Sequence, residues 1–260
     1  MNLGGHMSES IQSLARATAI IEAIALHDNT MSITAIAQHV NLHKSTVHRI
    51  LGTLIQLGYI RQNPSNSHYE LTVKLFELGS SAIKHSDLVT LAHPYLESLR
   101  DLSGEVVHLV LPDQYDIIYV DKVESTQTLR MHSFIGRRSP MYCTAVGKAI
   151  LATRSDEQLK IFWESITPEP RTPKTLTNFT DFHNEITRIR RVGFSYDNEE
   201  HEIGIRCIAF GIRNYAGDTI GAISISGPVQ RMTDEHIATL IPTLETVKYE
   251  LSRSLGYMEK

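Results

Sequence analysis

What is scarce in this 260-residue chain narrows its function before anything present does. There are only two cysteines, Cys143 and Cys207, far apart and without CxxC or metal-ligand spacing, which argues against a disulfide scaffold or a cysteine zinc site. No apolar run reaches the ~18 residues of a membrane span, and MNLGGHMSES has no signal-peptide character, so the expected setting is the cytoplasm, with free thiols and no membrane partner. Catalytic signatures are missing as well. AVGKA lacks both the Gly five residues before Gly147 and the Ser or Thr after Lys148 that a phosphate-binding loop requires, and neither GxSxG nor HExxH occurs. The net charge of -4 names no partner.

One absence is local and more telling. From Asn29 to Tyr69 there is no Asp or Glu, while Lys44, Arg49 and Arg61 are present with His39, His43, His48 and His68. Up to His85 the chain carries six basic and five acidic side chains, or +1, and beyond it 19 against 24, or -5. Only the N-terminal part can approach a polyanion cheaply.

That part has a recognisable order of elements. Leu14, Ala17, Ile20, Ile21 and Ile24 are spaced as one buried helix face; Ser32 is placed to cap a second helix bearing Ile33, Ile36, Ala37 and Val40. A third runs from about His43 to Leu57 and ends at Gly58. GYIRQ and HYELT flank the turn-rich NPSNS and form a hairpin. Helix, helix, turn, helix and hairpin make a winged helix-turn-helix. Its tight turn needs a small residue at the crossing, Ala37, a residue tolerant of positive φ, Asn41, and apolar pins, Leu42, Val47 and Ile50. At 100° per residue, Ser45, His48 and Arg49 face away from the pins, Thr46 lies at the border and Lys44 sits near the N-terminus. An outward Arg and hydroxyls are what groove reading uses; a plain polar surface or a protein-docking winged helix are the alternatives.

Thr72 is a candidate cap for a linker helix, VKLFELGSSAIKH, giving boundaries of 1–71 for the winged helix, 72–85 for the linker and 86–260 for the second domain. The remainder reads as α+β: an amphipathic helix over Leu88 to Leu102, strands EVVHLVLP and DIIYVDKV as a hairpin, TLRMHSF as a further strand candidate, helices at TAVGKAILAT, DEQLKIFWESI and FHNEITRIRRVG, strands IGIRCIAFGIR and TIGAISIS, and a closing helix from Asp234. An antiparallel sheet covered on one side is the expected architecture.

Candidate chemistry in this half is limited. YDNEEHE holds Asp197, Glu199, Glu200, His201 and Glu202, a possible metal cluster, although a solvated acidic loop accounts for it better. Cys207 with His201 as base would be a nucleophile, but a thiol packed in a strand is the simpler reading. In GAISIS, alternation puts Ser224 and Ser226 on one side of a strand, with Cys207 on the strand across the NYAGD turn. Such a wall suits a small polar ligand, and the helix start at Ala145 and Val146 adds backbone N–H groups; a solvent-facing row of serines is equally compatible with the pattern.

Taken together, LHKSTVHRILGTLIQLGYI, YELTVKLFELG, IGRRSPMYCTAVGKAILA, GFSYDNEEHEIGIRCIAFGI and GAISISGPVQR resemble the IclR family of bacterial transcription regulators. The resemblance implies an N-terminal winged helix, a C-terminal GAF-like effector domain, binding to operator DNA as a homo-dimer or tetramer, no cofactor, no metal and no enzymatic activity. It implies DNA contacts at Lys44, Ser45, Thr46, His48, Arg49 and Arg61, and an effector pocket at Ala145, Val146, Asp197, Cys207, Ser224 and Ser226. Sugar acids such as 2-keto-3-deoxygluconate, or small carboxylates, are the effectors it suggests, in control of a carbon-catabolism operon. Ala145 stands where relatives often carry Gly, and CIAFGI where CIAxPV is usual.

Overall fold

A computed structural model describes residues 11–83, 87–128 and 133–258. Contacts divide the chain into two compact units, Met1–Ser86 and Asp87–Lys260.

In the first unit, α1 (Gln12–Leu26), α2 (Ile33–His39) and α3 (Lys44–Gln56) surround Ile20, Ile24, Ile36, Val47, Leu51 and Leu54. Burying each such side chain stabilises by roughly 2 kcal/mol, which is what holds so short a set of helices together. Ser32 caps α2, its Oγ accepting from the Ala35 N–H at 3.3 Å. Asn41 takes φ +51°, and the next residue donates back to Ala37 O, reversing the chain within two residues. At the far end of α3, Gly58 is left-handed at φ +76° while Tyr59 N donates to Leu54 O and Gly58 N to Ile55 O, the paired bonds of a Schellman cap. The hairpin of β1 (Ile60–Gln62) and β2 (Tyr69–Leu71) is antiparallel, with Arg61 opposite Glu70. A bridge from Met31 to Tyr69 and the Asn29 side chain on Leu71 N bind this wing to the α1–α2 turn. Thr72 Oγ1 accepts from Lys74 N at 3.3 Å at the start of α4 (Val73–Ile83).

The second unit is a six-stranded antiparallel sheet with helices packed on it. It contains α5 (Asp87–Ser103), β3 (Val106–Asp113), β4 (Asp116–Val123), β5 (Arg138–Pro140), α6 (Ala145–Leu151), α7 (Asp156–Glu164), α8 (Phe179–Val192), β6 (Ser195–Asn198), β7 (Ile205–Arg213), β8 (Thr219–Pro228) and α9 (Asp234–Ser254). Its strands run in the order β5-β4-β3-β8-β7-β6. The expectation of a one-sided sheet is wrong. Ile208, Phe210, Ile223 and Ile225 pack with α5 and α9, whereas Cys207, Ala209 and Ala222 pack with α6, α7 and α8 on the opposite face. The reason is compositional: the second face is lined by small and polar residues, which in sequence look like a solvated surface. TLRMHSF is not confirmed as a strand; residues 129–132 lie outside the described residues, and Ser133 and Phe134 are irregular. The strand at the sheet edge is Arg138–Pro140 instead. Among the described residues no helix is long and apolar enough to cross a membrane.

Candidate functional site

Two sites can be built from these elements, one in each unit. On α3, Val47, Leu51 and Leu54 are buried while Lys44, Ser45, His48 and Arg49 are exposed and Thr46 is half-buried. The helix has no acid in its first turn, and its N-cap residue, His43, makes no side-chain cap bond. Leu57 is more exposed than its place in the apolar pattern implies, because α3 ends one residue earlier.

Arg61 differs from the rest. It extends from β1 with its side chain largely in solvent, but Nε and Nη2 both meet Glu70 Oε2 at 2.8 Å. Asn63 donates to the other carboxylate oxygen at 2.8 Å, and Asn63 and then Arg61 hold the Glu70 carboxyl below the usual range. The acid-free span ends at the residue that neutralises Arg61, and strand register is what brings the two together.

In the second unit, Asp197, Cys207 and Ser226 stand side by side on β6, β7 and β8, through the register pairs Asp197↔Cys207 and Cys207↔Ser226. Ser224 lies two residues along, its Oγ 3.4 Å from that of Ser226. All four are buried, as are Ala145 and Val146 at the start of α6. Thr144 caps that helix, accepting from Gly147 N at 3.2 Å. Gly147 itself is obligatory, since a Cβ there would overlap the backbone of Met141.

YDNEEHE is not the solvated loop that its composition suggests. Ser195–Asn198 is a strand, and Asp197 and Glu200 turn inward toward Lys148, which is completely buried. Lys148 pairs with Glu200 and lies 3.9 Å from Glu185. Asp197 Oδ1 accepts from the N–H groups of Glu200, at 2.7 Å, and His201, at 3.3 Å. Burial, reinforced by Glu200, pushes the Asp197 carboxyl up to about 7 despite Lys148 nearby. A helical period around Lys148 shows an ordinary exposed lysine; only the fold shows that both faces of this short helix are covered.

The thiols are not activated. Burial pushes Cys143 up to about 12 and Cys207 higher still, and it pushes His201 down to about 4, so neither a thiolate nor a ready base exists near neutrality. Among the described residues no three His, Cys, Asp or Glu side chains are arranged to hold a metal ion. Among the described residues, one cavity of about 540 Å³ lies beside Ala149, Ile189, Gly211 and Thr219, and another of about 680 Å³ beside Lys174, Arg188, Tyr196 and Glu200. Neither is lined by any of the six residues assigned to an effector pocket.

Residues 13–64 match the IclR helix-turn-helix domain, and residues 80–253 match the family described as bacterial transcriptional regulator IclR C-terminal. The HTH-type transcriptional regulator KdgR of Escherichia coli (strain K12) is 36% identical over 96% of this chain and 94% of its own. The transcriptional repressor IclR of the same organism is 35% identical over 95% and 91%. The crystal structure of the Thermotoga maritima IclR superimposes with a TM-score of 0.81 at 33% identity, covering 95% of this chain and all of that one. These similar chains are regulators, not enzymes. Two family domains matched in order and relatives of this identity over nearly the full length establish that the chain belongs to the IclR family of bacterial transcriptional regulators.

Proposed function

We propose that the chain is a metabolite-responsive repressor that binds operator DNA through α3 and its wing and answers to a small carboxylate or sugar acid in its second unit. Several relatives named as repressors support the sign of the response. In this reading Ser45, His48 and Arg49 meet base edges or backbone from the major groove, and Lys44 and Thr46 hold phosphates. Arg61 contributes from the wing at reduced strength, because Glu70 already takes up its charge. A homo-dimer or tetramer presents two such helices to a pseudo-palindromic site, and ligand changes which arrangement is populated.

The observation that carries the effector half is the buried row Asp197, Cys207, Ser226 and Ser224, on a face that packs against α6 instead of against water. These groups are held by bonds from the Glu200 and His201 N–H groups to Asp197 and between Ser224 and Ser226, so they stand fixed in line, ready to exchange hydrogen bonds with a small polar ligand. Asp197, half protonated near neutrality, can share its proton with an incoming carboxylate and avoids the repulsion between two anions. Control of a carbon-catabolism operon follows from that ligand class. The reading is tested by titrating sugar acids and 2-keto acids into the protein bound to DNA from upstream of its gene. An acid that changes the DNA midpoint for the wild type but not for Ser224→Ala/Ser226→Ala supports it; equal responses in both refute it.

A further inference from the structure

His108 is completely buried on β3, and its register partner on β8 is Ser224. Directly opposed residues of an antiparallel pair share a face, so His108 extends the row of Asp197, Cys207, Ser226 and Ser224 by one more strand. Its ring meets Tyr119 of β4 edge-on at 5.0 Å, and its Nε2 is 2.8 Å from Ser133 Oγ. The remaining ring nitrogen, Nδ1, is buried and has no hydrogen-bond partner among the described residues. Burial, with the charges of Lys122 and Arg137, pushes the imidazole down to about 3, so the ring is neutral. A neutral imidazole with one nitrogen engaged offers a single further hydrogen bond, as donor or acceptor according to which way Ser133 is turned. A hydroxyl satisfies either state, and a carboxylate only one.

Resting on the effector-pocket reading above, we infer that His108 is the specificity residue of this site, its Nδ1 reading a hydroxyl at the end of the ligand remote from Asp197. Strands lie ~4.8 Å apart, so Asp197 on β6 and His108 on β3, three strands away, are roughly 14 Å apart across the sheet. A five- or six-carbon hydroxy acid spans that width with a hydrogen bond at each end. A two- or three-carbon keto acid reaches only one end. The ligand class is therefore a polyhydroxylated monocarboxylate.

The test is calorimetric titration of the full chain with D-gluconate, 2-keto-D-gluconate and pyruvate, in the wild type, His108→Leu, His108→Asn and Ser226→Ala. The six-carbon acids should bind the wild type and lose about tenfold or more in affinity with His108→Leu, the effect of one stranded buried hydrogen bond. Pyruvate should be indifferent to that change, and His108→Asn, whose amide stands near the Nδ1 position, should recover part of the loss. Should His108→Leu fold poorly, labelled histidine in the wild type gives the same answer: the His108 Nδ1 resonance should move with gluconate. If Ser226→Ala abolishes binding while His108→Leu retains wild-type affinity and Nδ1 does not move, the inference fails and the pocket stands. Full binding in Ser226→Ala, or binding of none of the three acids to the wild type, overturns the pocket reading with it, whereas binding of pyruvate but of neither six-carbon acid overturns the inference alone.

Discussion

Arg49 and Arg61 show how little charge alone says about a residue. Both lie in the acid-free span, yet Arg49 projects from α3 toward solvent while Arg61 is held by a carboxylate across its own hairpin. Arg49→Ala should therefore weaken operator binding by about 1–3 kcal/mol if it reads a base, which fluorescence anisotropy would register as a lower affinity for operator but not for scrambled DNA. Asp197 calls for a pH experiment. Its folded carboxyl titrates at about 7 against an ordinary 3.8, so between those values the folded protein holds a proton that the unfolded chain has released. Its contribution to stability is present in full below the lower value and is lost as pH rises through the upper one. Melting temperatures of wild type and Asp197→Asn should accordingly diverge in favour of the variant from pH 4 to pH 8 (about the window those values set). A constant difference would show that Asp197 is not the group responsible.

At the scale of elements, α6 and α3 each contain a glycine, and the two should respond oppositely to alanine. Gly147 is pressed against the Met141 backbone, so Gly147→Ala should cost roughly 3 kcal/mol through overpacking. Gly52 has nothing within 4 Å of where a methyl would stand, so Gly52→Ala should stabilise α3 by about 1 kcal/mol, both effects read from urea denaturation. The wing makes a third case. Glu70→Gln releases Arg61, and the variant should bind any duplex more tightly with a steeper salt dependence, provided Arg61 reaches a phosphate. The helices, the caps at Ser32 and Gly58 and the tight turn at Asn41 were legible in the sequence because each depends on neighbours within a few residues. What escaped depends on register between distant strands: the pairing of Arg61 with Glu70, the place of His108 beside Ser224, and the inward turn of Asp197 and Glu200. The second covered face of the sheet was hidden for a related reason, since Ser, Ala and Cys alternating with Ile look the same in sequence whether water or α6 lies against them.

At the scale of the whole molecule, division of charge follows division of labour. The unit with a net excess of basic groups is the one that matches the helix-turn-helix domain, and the acidic remainder carries the buried polar row, so a polyanion is approached at least cost through the first part of the chain. Regulation requires that the second unit alter what the first one does. The most direct measurement is the affinity for operator DNA with increasing D-gluconate or 2-keto-D-gluconate, compared between wild type and Ser224→Ala/Ser226→Ala. The expected result is an affinity that falls with added acid in the wild type and stays at its ligand-free value in the variant. An acid response of equal size in both proteins would contradict it.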